Sequence, residues 1–200
     1  MNTGQVLIII GALTLLSIVS LSVNSLVLNT TQTYIQTEAQ LTAISVAQSM
    51  LDEIMTQSFD SATVSGARVW DSTKFTPIAR LGTETSPGIN EVTAVSLPEP
   101  PDTSVAYYST RKYNDVDDYN NYRRYYYSSA LGLFAVIDTV YYVQETNPDQ
   151  KSTGQTNYKK IVVTVRHPNL VIQGSYNAWQ GRYYVQLSNV AVYRRYFAND

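Results

Sequence analysis

The chain has no cysteine, one histidine, and no Asp, Glu, Lys or Arg in its first 37 residues. The missing cysteine excludes disulfides, Cys-ligated zinc, iron–sulfur clusters and thiol catalysis, although it does not fix the compartment. One histidine excludes His-pair metal motifs, and no P-loop, nucleophile elbow or HExxH sequence is present. His167 precedes Pro168 and reads as a turn residue, so catalysis has almost nothing to stand on and the chain is expected not to be an enzyme. A net charge of −2, from 14 Lys and Arg against 16 Asp and Glu, gives no bulk electrostatic case for nucleic acid. Helix breakers are scarce as well: no proline occurs before Pro77, and only Gly4 and Gly11 precede Gly66.

What fills the uncharged stretch is apolar. Residues Val6–Val27 read VLIIIGALTLLSIVSLSVNSLV, 22 residues. As a helix they would be about 33 Å long, enough to cross a bilayer core. The polar groups within them are Ser, Thr and Asn, which can bond back to the helix backbone or to a neighbouring helix. Three readings stay open here. One is a cleaved secretory signal, with Ser20-Leu21-Ser22 as a small-x-small site, but the apolar run is long for that and Met1–Gly4 carries no basic residue. A second is a permanent single-pass anchor, which ordinarily has Lys or Arg on its cytoplasmic flank. The third is a helix that starts in a membrane and ends among like helices in a filament, where Gly11, Ala12, Ser17 and Ser20 allow close approach.

No turn signal closes the run. Beyond the polar segment 29–40, Leu41, Ile44, Ala47, Leu51 and Ile54 recur at helical spacing, with Val46 and Met50 widening the stripe and Gln48, Asp52 and Glu53 looking outward. The pattern predicts one nearly continuous helix from about residue 3 to about residue 57, weakest at Thr30–Thr33, with two helices linked at 28–33 as the alternative. Residues 60–104 are rich in Ser, Thr, Gly and Pro and suggest loops with short strands at Ala67–Trp70 and Asn90–Leu97. Ser104–Tyr108 is a weak strand. Strong β signals follow at Phe134–Val143 and Tyr158–Arg166, then at Leu170–Gln173 and Tyr183–Tyr193, with a hairpin-type loop at Asn147–Gly154. The fold class is therefore α+β: a helical spine over 1–58 (apolar in 1–28, amphipathic in 34–57) and a β-rich head over 59–200. The stripe Leu41, Ile44, Ala47, Leu51, Ile54 is expected to cover one face of an antiparallel sheet.

Two tracts could carry chemistry. Asp115, Asp117, Asp118 and Asn120, with Asn114 and Asn121 beside them, cluster the oxygen ligands that Ca²⁺ prefers, without the Gly and distal Glu of an EF-hand. The competing reading is a solvated acidic loop whose charges cap or pair with Arg111, Lys112, Arg123 and Arg124. The second tract, Tyr122-Arg123-Arg124-Tyr125-Tyr126-Tyr127, is echoed by Tyr193-Arg194-Arg195-Tyr196-Phe197, in a chain with 17 tyrosines. Arg–Tyr stacking there suits a structural or subunit interface, and the same mix can grip single-stranded nucleic acid. Asn29-Thr30-Thr31 fits an N-glycosylation sequon at Asn29, or is simply polar helix surface.

In order and texture the chain resembles type IV pilins and the pseudopilin group. The uncharged apolar helix runs into Ala47-Gln48-Ser49-Met50-Leu51-Asp52-Glu53-Ile54 and then Phe59-Asp60. Asn114-Asp115-Val116-Asp117-Asp118-Tyr119-Asn120 and Tyr158–Val165 are similar to a loop and a penultimate strand in some of those proteins. The resemblance implies a pilin-like fold and a subunit of an extracellular, type IV pilus-like filament with an adhesion or surface role. It would be a single-pass membrane protein before assembly. It implies a filament-core helix containing Gln5, Val6, Ile8, Ile9, Gly11, Leu15, Ile18 and Leu21. Its partners would be further copies of itself, the pilus assembly machinery and the inner membrane. Gly4-Gln5 would be the processing junction, although no basic leader precedes it, and cleavage there leaves no carboxylate near the mature end; if Met1 is the mature end instead, Gln5 stands where the family has a glutamate and could only accept a hydrogen bond from a neighbouring amine. Two other functions stay open: a minor pseudopilin of a secretion or pilus machine, and a membrane-anchored ligand- or cation-binding protein.

Overall fold

The computed structural model describes residues 2–86, 89–91, 109–170 and 184–194. One α-helix, α1, runs unbroken from Thr3 to Met55. Hydroxyl side chains meet the demands of the apolar half internally. Thr14 donates to the Gly11 carbonyl, Ser17 to Leu13, Ser22 to Ile18, Thr30 to Leu26 and Thr31 to Val27, all at 2.8–2.9 Å. Each hydroxyl thus costs little in apolar surroundings. The Thr30–Thr33 segment, the expected weak point, stays helical by the same means.

Two short strands, β1 (Thr85–Ser86) and β2 (Ile89–Asn90), pair antiparallel. The main sheet is antiparallel in the order β3 (Arg123–Ser128), β4 (Gly132–Tyr142), β5 (Tyr158–Arg166), β6 (Tyr184–Val192). Gly132, at φ 88°, takes the left-handed conformation that lets the short β3–β4 connection close. In β4 and β5 alternate residues are buried: Phe134, Val136, Asp138, Val140 and Tyr142 on one, Lys159, Ile161, Val163 and Val165 on the other. That is the period of a half-buried sheet, and the C-terminal half of α1 lies over β5 and β6. The molecule is α+β, a long N-terminal helix packed on a four-stranded antiparallel sheet.

The face of α1 that meets the sheet shares Ala47, Leu51 and Ile54 with the expected stripe, and the widening Val46 and Met50, but not Leu41 and Ile44. Ala39, Ala43, Val46, Ala47, Met50, Leu51 and Ile54 are buried, whereas Leu41 is 64% exposed and Ile44 36%. At about 100° of turn per residue, Leu41 lies almost opposite the centre of that face and Ile44 at its edge. Alanines alternate on this face with the larger Val46, Met50, Leu51 and Ile54. Leu41 and Ile44 are left outside the head's core. Glu53, expected to look outward, instead accepts from the Tyr119 hydroxyl (3.1 Å) and lies 3.6 Å from Arg124. Substituting Ala47→Leu should overpack the interface and cost about 1–3 kcal/mol. Leu41→Ala should change stability by less than about 0.5 kcal/mol. Denaturant unfolding in detergent distinguishes this register from the expected stripe, in which Leu41→Ala would cost about 2–5 kcal/mol.

Ala67–Trp70 is not a strand but extended loop. β3 falls where the sequence suggested only an Arg–Tyr surface tract. The expected strand Ser104–Tyr108, residues 92–97 of the expected strand Asn90–Leu97, and residues 171–173 of Leu170–Gln173 lie outside the described residues.

Candidate functional site

The first candidate is the apolar half of α1. Its most apolar 18-residue window has no part buried against the rest of the molecule, and by length and composition the helix could cross a membrane. Val6, Ile8, Ile9, Leu15, Ile18 and Leu21 are all exposed, Gln5 sits in the first helical turn, also exposed, and Gly11 is half-buried. Asn29 is on the exposed helix surface. Burying one such Leu or Ile side chain is worth about 1.5–3 kcal/mol, so a covering of lipid or protein is strongly favoured along this whole segment.

The second candidate lies where α1 gives way to the sheet. Residues just past the helix are pinned to the acidic turn: Val116 N–H donates to the Ser58 carbonyl (2.9 Å) and Ser58 N–H to that of Asn114 (3.2 Å). Asp115 and Asp118 build the turn reciprocally. Asp115 Oδ1 accepts from the amides of Asp117 (2.9 Å) and Asp118 (3.2 Å), and Asp118 Oδ2 from those of Asn114 (2.8 Å) and Asp115 (3.2 Å). The turn is thus buried, not solvated, with Asp115 and Asp117 fully enclosed and Asp118 nearly so.

Its cationic partner is neither an arginine nor a surface lysine but Lys159, which points into the core from β5. Lys159 Nζ donates to the Phe59 carbonyl (2.7 Å), Asp60 Oδ2 (2.8 Å) and Asp117 Oδ1 (2.5 Å), using all three of its donors. It also lies 4.7 Å from the Phe59 ring centroid. Asp60 in turn caps a short helical turn at Ser61–Thr63 and accepts from Thr76 N–H (3.0 Å) and the Tyr142 hydroxyl (3.2 Å). Burial pushes the Asp60 carboxyl up, but Lys159 and these donors outweigh it and hold it below the usual range. Burial raises Asp117 and Lys159 only partly offsets this.

Of the four residues the sequence offered as cation ligands, Asp115, Asp117 and Asp118 come together and Asn120 does not. Asp117 is committed to Lys159. Asn120 ties loops together, donating to the Leu81 carbonyl (3.1 Å) and accepting from Val140 N–H (3.2 Å). In their place stand two glutamates flanking the β1–β2 pair. Glu84 places a carboxylate oxygen within 4.8 Å of oxygens of both Asp115 and Asp118. Glu91 accepts from Glu84 N–H (2.7 Å) and from the Asn114 amide (2.5 Å). Burial and the facing Glu84 and Asp118 carboxyls push Glu91 up to about 8; burial, Asp117 and Asp118 push Asp115 up to about 9. The Thr85–Asn90 register puts positions 84 and 91 opposite each other, a pairing that only the folded chain shows.

Asp138 is a separate buried acid on β4. Neither of its side-chain oxygens has a hydrogen-bond partner. Burial, only partly offset by Arg124, pushes it up to about 8. Because the folded value exceeds the unfolded one, the group's contribution to stability is most favourable below about pH 4 and declines as pH rises towards 8. Asp138→Asn should therefore stabilise the head by about 1–3 kcal/mol at pH 8.5 and have little effect at pH 3.5. Thermal unfolding at the two pH values measures this, and a loss of stability at pH 8.5 would contradict it.

The aromatic tracts turn inward only at Tyr122 and Tyr193, while Arg123, Tyr126 and Tyr127 are exposed. Tyr122 packs edge-on against Tyr113 and Tyr119, and Tyr193 packs on Phe59 and Phe75 while its hydroxyl accepts from Val69 N–H. Residues 195–197 lie outside the described residues. His167 occupies its expected turn, stacked 4.1 Å from the Phe134 ring; Nδ1 accepts from Asn169 N–H, so Nε2 carries the proton and donates to the Leu131 carbonyl. No protein-family model, curated protein or solved structure matches the chain.

Proposed function

We propose that the chain is a structural subunit of an extracellular, type IV pilus-like filament, in which the apolar halves of many α1 helices form the core and the β heads form the wall. One observation carries this reading: a single unbroken helix buries its C-terminal half on its own sheet and leaves its apolar half free of the head. The two jobs share one rigid rod, so packing the rods positions the heads. Before assembly the membrane would hold the same segment, and within a filament like helices would replace lipid. Helix association in either setting relies on van der Waals packing and satisfied hydroxyls more than on charge, and the apolar half of α1 offers both. Leu41 and Ile44, turned away from the sheet, extend the apolar surface past the membrane-length segment and offer contacts to neighbouring subunits.

The absence of native cysteine makes a direct test available. Ile18→Cys, as the only thiol in the chain, should give oxidant-induced disulfide dimers in assembled material, while Asp149→Cys, on an exposed loop, should not. Monomeric Ile18→Cys in every cell fraction would count against a helix-packed core. A minor pseudopilin would share the fold and the cross-link but be scarce relative to the other filament subunits.

A further inference from the structure

Three buried carboxylate oxygens have no hydrogen-bond partner at one place: Asp115 Oδ2, Asp118 Oδ1 and Glu84 Oε2. Asp115 is 0% exposed, Asp118 1% and the adjoining Glu91 4%. The other oxygen of each aspartate is already spent on backbone amides, so the free ones are fixed in direction by the turn that holds them. Ionised, these acceptors repel one another and an orphaned buried acceptor is costly, so the group either shares protons or takes up a cation. Lys159 cannot serve them, because its three donors are occupied by Phe59, Asp60 and Asp117.

The spacing suggests what can serve them. Oxygens sharing one ion at about 2.4 Å lie at most about 4.8 Å apart. Ligand oxygens of Glu84, Asp115 and Asp118 all lie within 4.8 Å of one another. Glu91 is fixed beside them by Asn114 and by the Glu84 amide. An all-oxygen, carboxylate-rich set drawn from two separate segments suits a hard divalent cation that accepts many protein ligands.

We propose that Glu84, Glu91, Asp115 and Asp118 form a binding site for a calcium-class divalent cation, which clamps the β1–β2 pair onto the acidic turn beside the end of α1. The site belongs to the head and does not depend on the filament reading. Its effect is to tie Glu84 and Glu91 to the helix–sheet junction.

The test uses the full chain in detergent, stripped with EGTA and titrated with calcium chloride by calorimetry, with thermal unfolding alongside. One ion should bind per chain, and saturating calcium should raise Tm by about 5 °C or more. Asp115→Asn preserves the oxygen that holds the turn while removing the charge, and Glu84→Gln alters a half-buried side chain. Each should weaken binding at least about tenfold and shrink the Tm shift, with far-UV circular dichroism unchanged. Asp149→Asn, which removes an exposed acid paired with Lys160, should bind as the unaltered chain does. Absence of stoichiometric calcium binding by the unaltered chain, or unchanged affinity in both Asp115→Asn and Glu84→Gln, would overturn the proposal.

Discussion

Replacing Lys159 with methionine should destabilise the head by about 3–5 kcal/mol, a fall in Tm of roughly 10–20 °C. Methionine matches the length and packs well, so the loss comes from what Lys159 leaves behind. Asp60 and Asp117 would be buried without a counter-charge, and the Phe59 carbonyl would lose its donor. Breaking a buried pair costs far more than the pair contributes when intact, because desolvation is no longer offset. Two corollaries follow from the same physics. Adding Asp60→Asn and Asp117→Asn to Lys159→Met should restore at least half of the loss. The gap between Lys159→Met and the unaltered chain should also narrow as pH falls. In the unaltered chain Asp60 is held low, so its contribution is present above about pH 4 and lost as pH drops through its folded value, while the variant's stranded carboxylates simply take up protons. Urea unfolding at pH 7 and pH 3.5 measures both effects.

The second large effect concerns assembly rather than folding. Leu15→Asp places a charge near the middle of the apolar half of α1, where Leu15 touches nothing of the head. A charge at the centre of a membrane helix costs about 2.5–3.5 kcal/mol, and a packed helical core offers it no charged side chain as a partner, since the first 37 residues contain no Asp, Glu, Lys or Arg. In a filament the penalty recurs in every subunit. We expect assembly to be abolished, with Tm of the head within about 2 °C of the unaltered chain, because a distant exposed site perturbs the head's stability little. Fibres of normal length and number from the Leu15→Asp chain would contradict the assembly account.

The long helix and the strands β4 and β5 were legible because their patterns are strong and local: 3.6-residue periodicity without breakers, and β-branched runs. The phase of the helix was legible from Val46 to Ile54 but not at Leu41 and Ile44. Leu41 and Ile44 outweigh Ala39 and Ala43 in any count of apolar residues, yet the alanines are the ones buried, which depends on the partner and not on the helix alone. β3 was hidden because Arg123 and Arg124 suggest surface, although its edge position in the sheet tolerates them. Lys159 was hidden by its neighbour, since Lys159-Lys160 reads as exposed. Strict alternation with Ile161, Val163 and Val165 places Lys159 inside and Lys160 outside, and the same count places Asp138 inside with Val136 and Val140. The acidic turn was visible as a cluster, but its connections were not. Lys159 lies 42 residues beyond Asp117, and the glutamates that complete the group precede it by more than 20 residues, so only the folded chain brings them together.

The most direct measurement of the central claim is electron cryomicroscopy of material sheared from cells that produce the full chain. The account predicts thin helical fibres in which this chain is the repeating subunit, with density for Val6–Val27 at the axis as bundled helices and the β heads outside. Cells that hold the chain as a folded, membrane-bound monomer and shed no fibre containing it would contradict the account.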